Sequence, residues 1–218
     1  WSMFEYLMPL LVMPTYDNTL LDQTYKTVVD WQIQYGKKIN KPWGISESGY
    51  NMINAGSNYQ YRAFGAPRLG LKRGLEEDVV VAPYASILAL MVAPEKACEN
   101  LELLRKRGLE GRFGFYEAID YTPSRLQRGQ SSAIVYSFMA HHHGMSFLSL
   151  DYLLHDKPMQ KLFEAEPQFK ATLLLLQERI PKATTFFTHY TDIAEIDYVA
   201  VGQETRIINT PDTSVPKV

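Results

Sequence analysis

The stretch Val79–Gly108 reads VVVAPYASILALMVAPEKACENLELLRKRG, two apolar runs broken at Ala93-Pro94. Val79–Val92 and Pro94–Arg107 predict two helices joined by a tight turn. Proline suits the opening turn of a helix, where its missing N–H costs nothing, so Pro83 fits an early turn of the first helix and Pro94 the start of the second. Gly108 fits the C-terminal stop. In the second run Ala97, Leu101 and Leu104 share one face, while Glu95, Glu99, Glu102, Lys106 and Arg107 form a solvated one. Helices connected this closely lie antiparallel.

The same unit recurs on both sides. Met3–Met13 is a compact apolar segment stopped by Pro14. Asp17 or Asn18 is placed to cap a helix running to about Lys38, with Leu21, Tyr25, Val28 or Val29, and Gln32 or Ile33 at helical spacing and Trp31 packed with them. Met139–Asp156 predicts an apolar helix, and Pro158–Glu166 with Pro167–Ile180 a last pair. Successive helical hairpins predict an all-α fold. Arranged in a ring, such hairpins bury an apolar layer and gather their loops at one end, which is the logic of an α/α toroid with a cleft. From 181 to 218 the text is alternating, β-branched and punctuated by proline, and predicts an extended tail or a linker to a following domain; the helical part is then 1–180.

The chemistry-bearing residues fall between the hairpins. Pro42-Trp43-Gly44-Ile45-Ser46-Glu47-Ser48-Gly49-Tyr50-Asn51 sets one carboxylate, Glu47, among glycines, hydroxyls and aromatic rings. Trp43 and Tyr50 offer flat faces to a sugar ring, although a surface loop with local serine turns has the same look. The segment from Ile39 to Glu77 is long for a connector, rich in aromatics and poor in charge runs, which favours an ordered binding loop. Within it Tyr59, Tyr61 and Phe64 are candidate stacking platforms, and Gln60 and Arg62 candidate partners for hydroxyls. A short strand burying its tyrosines accounts for the same residues. In Gly111–Arg125, Glu117 and Asp120 stand among aromatics that include Tyr116 and Tyr121. An apolar wall raises a carboxylate's pKa and a nearby cation lowers it, so such surroundings can separate an acid from a base. Glu47 and Glu117 are the candidate pair, with Asp120 and Glu5 in reserve; Glu5 equally suits a first-turn carboxylate complementing its helix dipole. His141-His142-His143 opens an apolar helix. Adjacent helical residues point in different directions, so no metal site is predicted; one histidine is expected to line the cavity and another to bond within the helix layer.

Composition narrows the partners. At 218 residues and 46% hydrophobic, the chain can bury a sizeable core, as one large domain or a domain plus a tail. Its 22 basic and 24 acidic residues leave no footprint for nucleic acid, and a neutral polymer suits it better. Cys98 is the only cysteine, so an intrachain disulfide is impossible and the compartment stays open. No apolar run approaches the ~20 residues of a membrane span, and no signal peptide precedes the first helix. The chain opens at Trp1 within an apolar pattern, which suggests a piece of something longer.

Five ordered blocks carry a resemblance: Met3–Pro9 (MFEYLMP), Pro42–Ser48 (PWGISES), Asn58–Gly65 (NYQYRAFG), Gly114–Pro123 (GFYEAIDYTP) and Phe138–His142 (FMAHH). Together they resemble the glycoamylase-like domain of bacterial cyclic β-1,2-glucan synthases, over about residues 1–180. The resemblance implies an (α/α)6 toroid, of which this chain is about the C-terminal half, acting without a cofactor. The substrate implied is β-1,2-glucan or another β-glucan. The activity implied is ring closure by retaining transglycosylation, with endo-β-1,2-glucanase or a non-catalytic glucan-binding module as alternatives. By family order Glu47 is the acid and Glu117 the nucleophile, with Trp43, Tyr50, Tyr59, Tyr61, Arg62, Phe64, Tyr116, Tyr121, His141 and His142 binding substrate. Other domains of a larger synthase, or a second copy, would complete the toroid. The expected place is the cytoplasmic side of the inner membrane, or the periplasm for a stand-alone glucanase.

Overall fold

The structure, a computed structural model, describes residues 2–69 and 77–179; the predicted tail 181–218 lies outside the described residues. Helix α1, Met3–Leu7, continues as a 3-10 turn over Met8–Leu11 and buries Met3, Leu7, Leu10 and Leu11. Its first N–H groups find one partner locally and one far along the chain: the Ser2 N–H donates to Glu5 Oε2 at 2.7 Å, and Phe4 N–H donates to Ser46 Oγ at 3.0 Å. The Ser2 hydroxyl also bonds the Glu5 carboxylate.

Helix α2, Leu20–Ile39, comes next. Its cap is Thr19, whose Oγ1 accepts the Asp22 N–H, rather than Asp17 or Asn18. Asn18 is in the left-handed region at φ 61°, outside the extended geometry that a cap requires. The buried stripe is Tyr25, Val28, Val29, Gln32, Ile33 and Gly36, while Trp31 is half-buried and donates to the Pro67 carbonyl at 2.7 Å. A polar residue in that stripe needs partners, and Gln32 has two: Nε2 donates to the Ile45 carbonyl at 2.8 Å and Oε1 accepts the Ile45 N–H at 3.0 Å. The amide thereby fixes the approach to Glu47.

The segment from Ile39 to Glu77 is not one long loop. Ser48–Ile53 and Tyr59–Arg62 form strands β1 and β2, an antiparallel hairpin in which Gly49 faces Tyr61 and Tyr50 faces Gln60. Asn54 closes it, its Oδ1 accepting the N–H groups of Gly56 and Asn58. Nor is Val79–Val92 one helix. Val80–Val81 is strand β3, and helix α3 runs only over Pro83–Leu88 before a 3-10 turn at Ala89–Met91. A run of β-branched residues favours a strand, and Pro83 can begin a helix but not sit inside one.

Helix α4, Pro94–Lys106, matches its prediction, with Ala97, Asn100 and Leu104 buried and Gly108 just beyond it at φ 85°. Strands β4 (Glu110–Gly111) and β5 (Gly114–Phe115) make a second hairpin. Strand β6, Ala118–Asp120, is central in a sheet ordered β3-β6-β7, where β7 is Ala133–Val135. Both contacts are antiparallel, with Val80 opposite Asp120 and Ile119 opposite Ile134. Helices α5 (Ala140–Leu154), α6 (Pro158–Ala165) and α7 (Pro167–Lys170) complete the fold. The last is shorter than predicted: Thr172 returns both its N–H and its hydroxyl to the Phe169 carbonyl, bonding that competes with a longer helix.

The fold is therefore helix-rich but not all-α. One apolar cluster joins α1, α2 and α3 to the sheet through Leu7, Val29, Ile45, Leu88, Ile119 and Val135. The small sheets carry the residues that matter for chemistry.

Candidate active site

Glu47 stands immediately before β1, on a turn held from three sides. Asn100 of α4 accepts the Trp43 N–H at 3.1 Å and donates to the Trp43 carbonyl at 2.8 Å. Gln32 of α2 clamps both backbone groups of Ile45. Tyr84, in the first turn of α3, donates its hydroxyl to the Glu47 carbonyl at 2.9 Å and meets Ser46 Oγ at 2.7 Å. Gly44 makes this packing possible: its φ is 109°, and a Cβ there would come within 3.2 Å of Ser86 Oγ.

Glu117, between β5 and β6, is 5% exposed. Its Oε1 accepts the Gly49 N–H of β1 at 2.9 Å, and its Oε2 faces Nδ1 of His142 at 3.0 Å. His142 sits in the first turn of α5, buried, with the Tyr84 ring stacked on it at a centroid distance of 3.7 Å and 14° from parallel. Tyr61 of β2 closes the constellation. Its hydroxyl lies 2.7 Å from Glu47 Oε1 and 3.2 Å from Nε2 of both His141 and His142. The two glutamates are thus the ends of one hydrogen-bonded chain, Glu47–Tyr61–His142–Glu117.

The surroundings fix several protonation states. Burial, reinforced by the hydrogen bond to Glu47 and the negative charges of Glu47 and Glu117, pushes the Tyr61 hydroxyl far above its usual range, so it keeps its hydrogen. Burial does the same to Tyr84 against an opposing hydrogen bond from Ser46. Desolvation, then the neighbouring His142, lowers the pKa of His141, with the two glutamates opposing.

A cavity of about 200 Å³ opens at the Glu117–His142 end of the chain, lined by these two residues together with Tyr84, Phe113, Tyr116 and Phe147. Tyr116 meets Tyr136 edge-on at 4.8 Å and Phe138 at 5.4 Å. Phe113, Tyr136 and Phe147 are exposed beside it. Paired carboxylates beside aromatic faces suit glycosyl transfer, in which one group moves a proton and the other meets the anomeric carbon.

Of the residues predicted from sequence, the structure gathers Glu47, Tyr61, Glu117, His141 and His142, with Tyr116 at the cavity. It places the others apart. Asp120 is wholly buried: Arg125 bonds both its oxygens at 2.7 and 3.1 Å, and the N–H groups of Asn51 and Thr122 add bonds at 3.0 and 2.9 Å. Glu5 caps its own helix. Arg62 pairs with Asp78 and lies over the Phe64 ring at 4.9 Å, while Arg125 lies 4.9 Å over Tyr50. Phe64 and Trp43 are core residues, Tyr121 is buried under Lys41, and Tyr59 is half-buried. Sequence reading missed Tyr84 and gave Ser46 only a turn. Tyr84 follows Pro83 inside an apolar run, where nothing separates an active-site tyrosine from a core one.

Residues 2–167 match the Glycoamylase family model, described as "Putative glucoamylase". The chain belongs to this family and is a glycoside hydrolase-like enzyme domain. It is 46% identical over 181 residues to the cyclic beta-(1,2)-glucan synthase NdvB of Rhizobium meliloti (strain 1021), an alignment that covers 83% of this chain and 6% of that relative. A solved structure of beta-1,2-glucanase from Parabacteroides distasonis superposes with a TM-score of 0.53 at 18% identity, over 81% of this chain and 24% of that one. That likeness is one of fold. Among the described residues no helix is long and apolar enough to cross a membrane.

Proposed function

We propose that this domain acts on β-1,2-linked glucan and closes linear chains into rings by retaining transglycosylation. The observation that carries the reading is the chain Glu47–Tyr61–His142–Glu117 beside an aromatic-lined cavity, in a family whose curated relative is a cyclic β-1,2-glucan synthase. Glu47 is the general acid: it gives its proton to the leaving glycosidic oxygen as the Glu117 carboxylate bonds to the anomeric carbon and the glycosidic bond breaks. A hydroxyl at the glucan's own non-reducing end then gives its proton to Glu47 and displaces Glu117, so both glutamates return to their starting states. Excluding water separates ring closure from hydrolysis.

The Gly49 N–H and His142 hold Glu117 in one orientation, which is the preorganisation that a nucleophile needs. Tyr116 supplies a flat face beside it. We assign this chain to the C-terminal half of an (α/α)6 toroid, completed by other parts of a larger synthase; the 6% of the relative that it spans is consistent with such neighbours. The place proposed is the cytoplasmic side of a bacterial inner membrane.

The test is to incubate the domain with linear β-1,2-glucan and record product masses. Products lighter by one water than the matching linear chains are expected. Ring closure also frees the reducing-end fragment as a shorter linear chain, so shorter linear chains without any rings would replace the cyclising activity with a glucanase, and glucan binding without any product would reduce the domain to a binding module.

A further inference from the structure

The aromatic wall that continues past Tyr116 is tied to the backbone of Glu117 itself. The Glu117 N–H donates to the Ser137 carbonyl at 3.0 Å, and the Ser137 N–H turns back to the Val135 carbonyl at 2.9 Å. Tyr136 and Phe138 flank that anchored residue, and β7 behind them is paired to β6 with Val135 opposite Ala118. Tyr116 is seated as closely: a Cβ on Gly111 of the β4–β5 hairpin would come within 2.6 Å of its Cζ. The rings then follow one another, Tyr136 at 4.8 Å and Phe138 at 5.4 Å from Tyr116, and Phe113 at 6.3 Å from Phe138. Their mutual contacts are edge-on or tilted and leave much of each ring in solvent, 61% of Tyr136, 41% of Phe138 and 73% of Phe113.

An exposed apolar patch marks an interaction site, and its occupant is either another protein surface or a sugar chain. The side chains decide between them. Elsewhere among the described residues the exposed apolar groups include Leu154, Leu162, Leu174 and Leu175, whereas the large apolar residues exposed on this strap and hairpin are all aromatic. A packed protein interface accepts leucine as readily as a ring. A pyranose instead presents a flat face of C–H groups edged with hydroxyls, which a ring face covers and a neighbouring polar group bonds. Such neighbours are present: the Arg112 guanidinium lies 5.3 Å over the Phe113 ring, and the His143 imidazole is 5.7 Å from that of Phe138.

We infer that Tyr136, Phe138 and Phe113 form a track for the glucan chain beyond the reacting bond, with Tyr116 as its first ring. The inference rests on the β-1,2-glucan reading above and adds to it where the polymer lies once it leaves Glu117. Because the strap is bonded to Glu117 through Ser137, a chain seated on these rings is held in a fixed position relative to the Glu117 carboxylate. The track also selects polymer over short saccharide. A short piece gains only the contacts near the glutamates, whereas a long one adds ring contacts remote from the chemistry.

The experiment is retardation of the chain in native gels cast with linear β-1,2-glucan. It compares Phe138→Ala, Phe138→Leu and Phe138→Trp, and the same three changes at Tyr136, with the unfolding midpoint of each variant recorded. The alanine and leucine variants are expected to bind glucan about 3-fold to 10-fold more weakly, the worth of one aromatic contact, and the tryptophan variants to bind as the unaltered chain does. Leucine keeps the apolar surface and loses the flat face. Leucine or alanine variants retarded like the unaltered chain would therefore overturn the inference, and a change in their self-association with glucan binding intact would assign the patch to a protein surface instead. An unaltered chain that is not retarded at all would overturn the glucan reading and the track with it, an outcome distinct from equal retardation of chain and variants.

Discussion

The ring of Tyr84 lies flat against the imidazole of His142, 3.7 Å between centroids, while its hydroxyl reaches past the ring to the Glu47 carbonyl at 2.9 Å. One side chain from α3 thus braces both ends of the site, the histidine beside Glu117 and the turn that carries Glu47. Tyr84→Phe keeps the stack and removes the hydroxyl, leaving buried Ser46 and the part-buried Glu47 carbonyl short of a partner. The expected loss is about 1–3 kcal/mol of stability, read as a lower denaturant midpoint at unchanged slope. Tyr84→Leu should lose more, because His142 is then free to tilt.

Asp120 and Arg125 form a buried pair, at side-chain exposures of 0% and 9%, that also ties in Asp78. Removing one partner of such a pair strands a charge, so Arg125→Ala is expected to cost about 3–5 kcal/mol. Asp120→Asn should likewise lower stability, with glucan turnover falling only in proportion to the folded fraction. A well-folded but inactive Asp120→Asn would return Asp120 to the catalytic candidates.

Gly49 lies under Glu117, and a Cβ there would come within 3.2 Å of Glu117 Cγ and 3.3 Å of Val135 Cγ1. Gly49→Ala therefore requires these two side chains to give by a few tenths of an ångström, and one of them carries the Glu117 carboxylate. Misplacing a reacting group is costly, and a fall in turnover of about 10-fold or more is expected with a much smaller change in unfolding midpoint. Comparing the two measurements separates this displacement from general destabilisation.

Local punctuation and tertiary contact divide what the sequence could reveal from what it could not. Pro83, Pro94 and Gly108 punctuate the chain locally, and Ala97 with Leu104 repeats at helical spacing, so α4 was legible almost to the residue. The strands were not. β3 and β6 have two and three residues, too short for a period to declare itself, and Gly49 and Asn51 dilute the alternation of β1. Glu47 and Glu117 stood out because a carboxylate among aromatics and glycines is unusual locally. Asp120 looked identical in that respect, and only its bonds to Arg125, which depend on tertiary packing, set it apart. The bracing contacts of Tyr84 and the meeting of Glu47, His141 and His142 at the Tyr61 hydroxyl are likewise properties of several elements meeting and leave no trace in any one stretch.

Tyr25 predicts an alkaline weakness. Burial, then the neighbouring Tyr152, pushes its hydroxyl from 10.0 up to about 12 in the folded chain, where it is 3% exposed. A raised folded pKa means that the stability it supports is complete below pH 10 and is lost as pH rises toward 12, because the unfolded chain gives up the proton first. The loss attributable to this residue is about 2–3 kcal/mol across that window. Tyr25→Phe should flatten the fall in unfolding free energy between these pH values, and an unchanged slope would assign the loss to other groups.

Glu47 and Glu117 are the reacting pair proposed for this domain. The most direct measurement is turnover of linear β-1,2-glucan by Glu47→Gln and Glu117→Gln beside the unaltered protein, with glucan binding recorded for each. Both variants should bind glucan and lose about 10³-fold or more in turnover, since each removes a group used in the bond-making step. A variant that binds glucan and keeps turnover within about 10-fold of the unaltered protein would contradict the account for that glutamate.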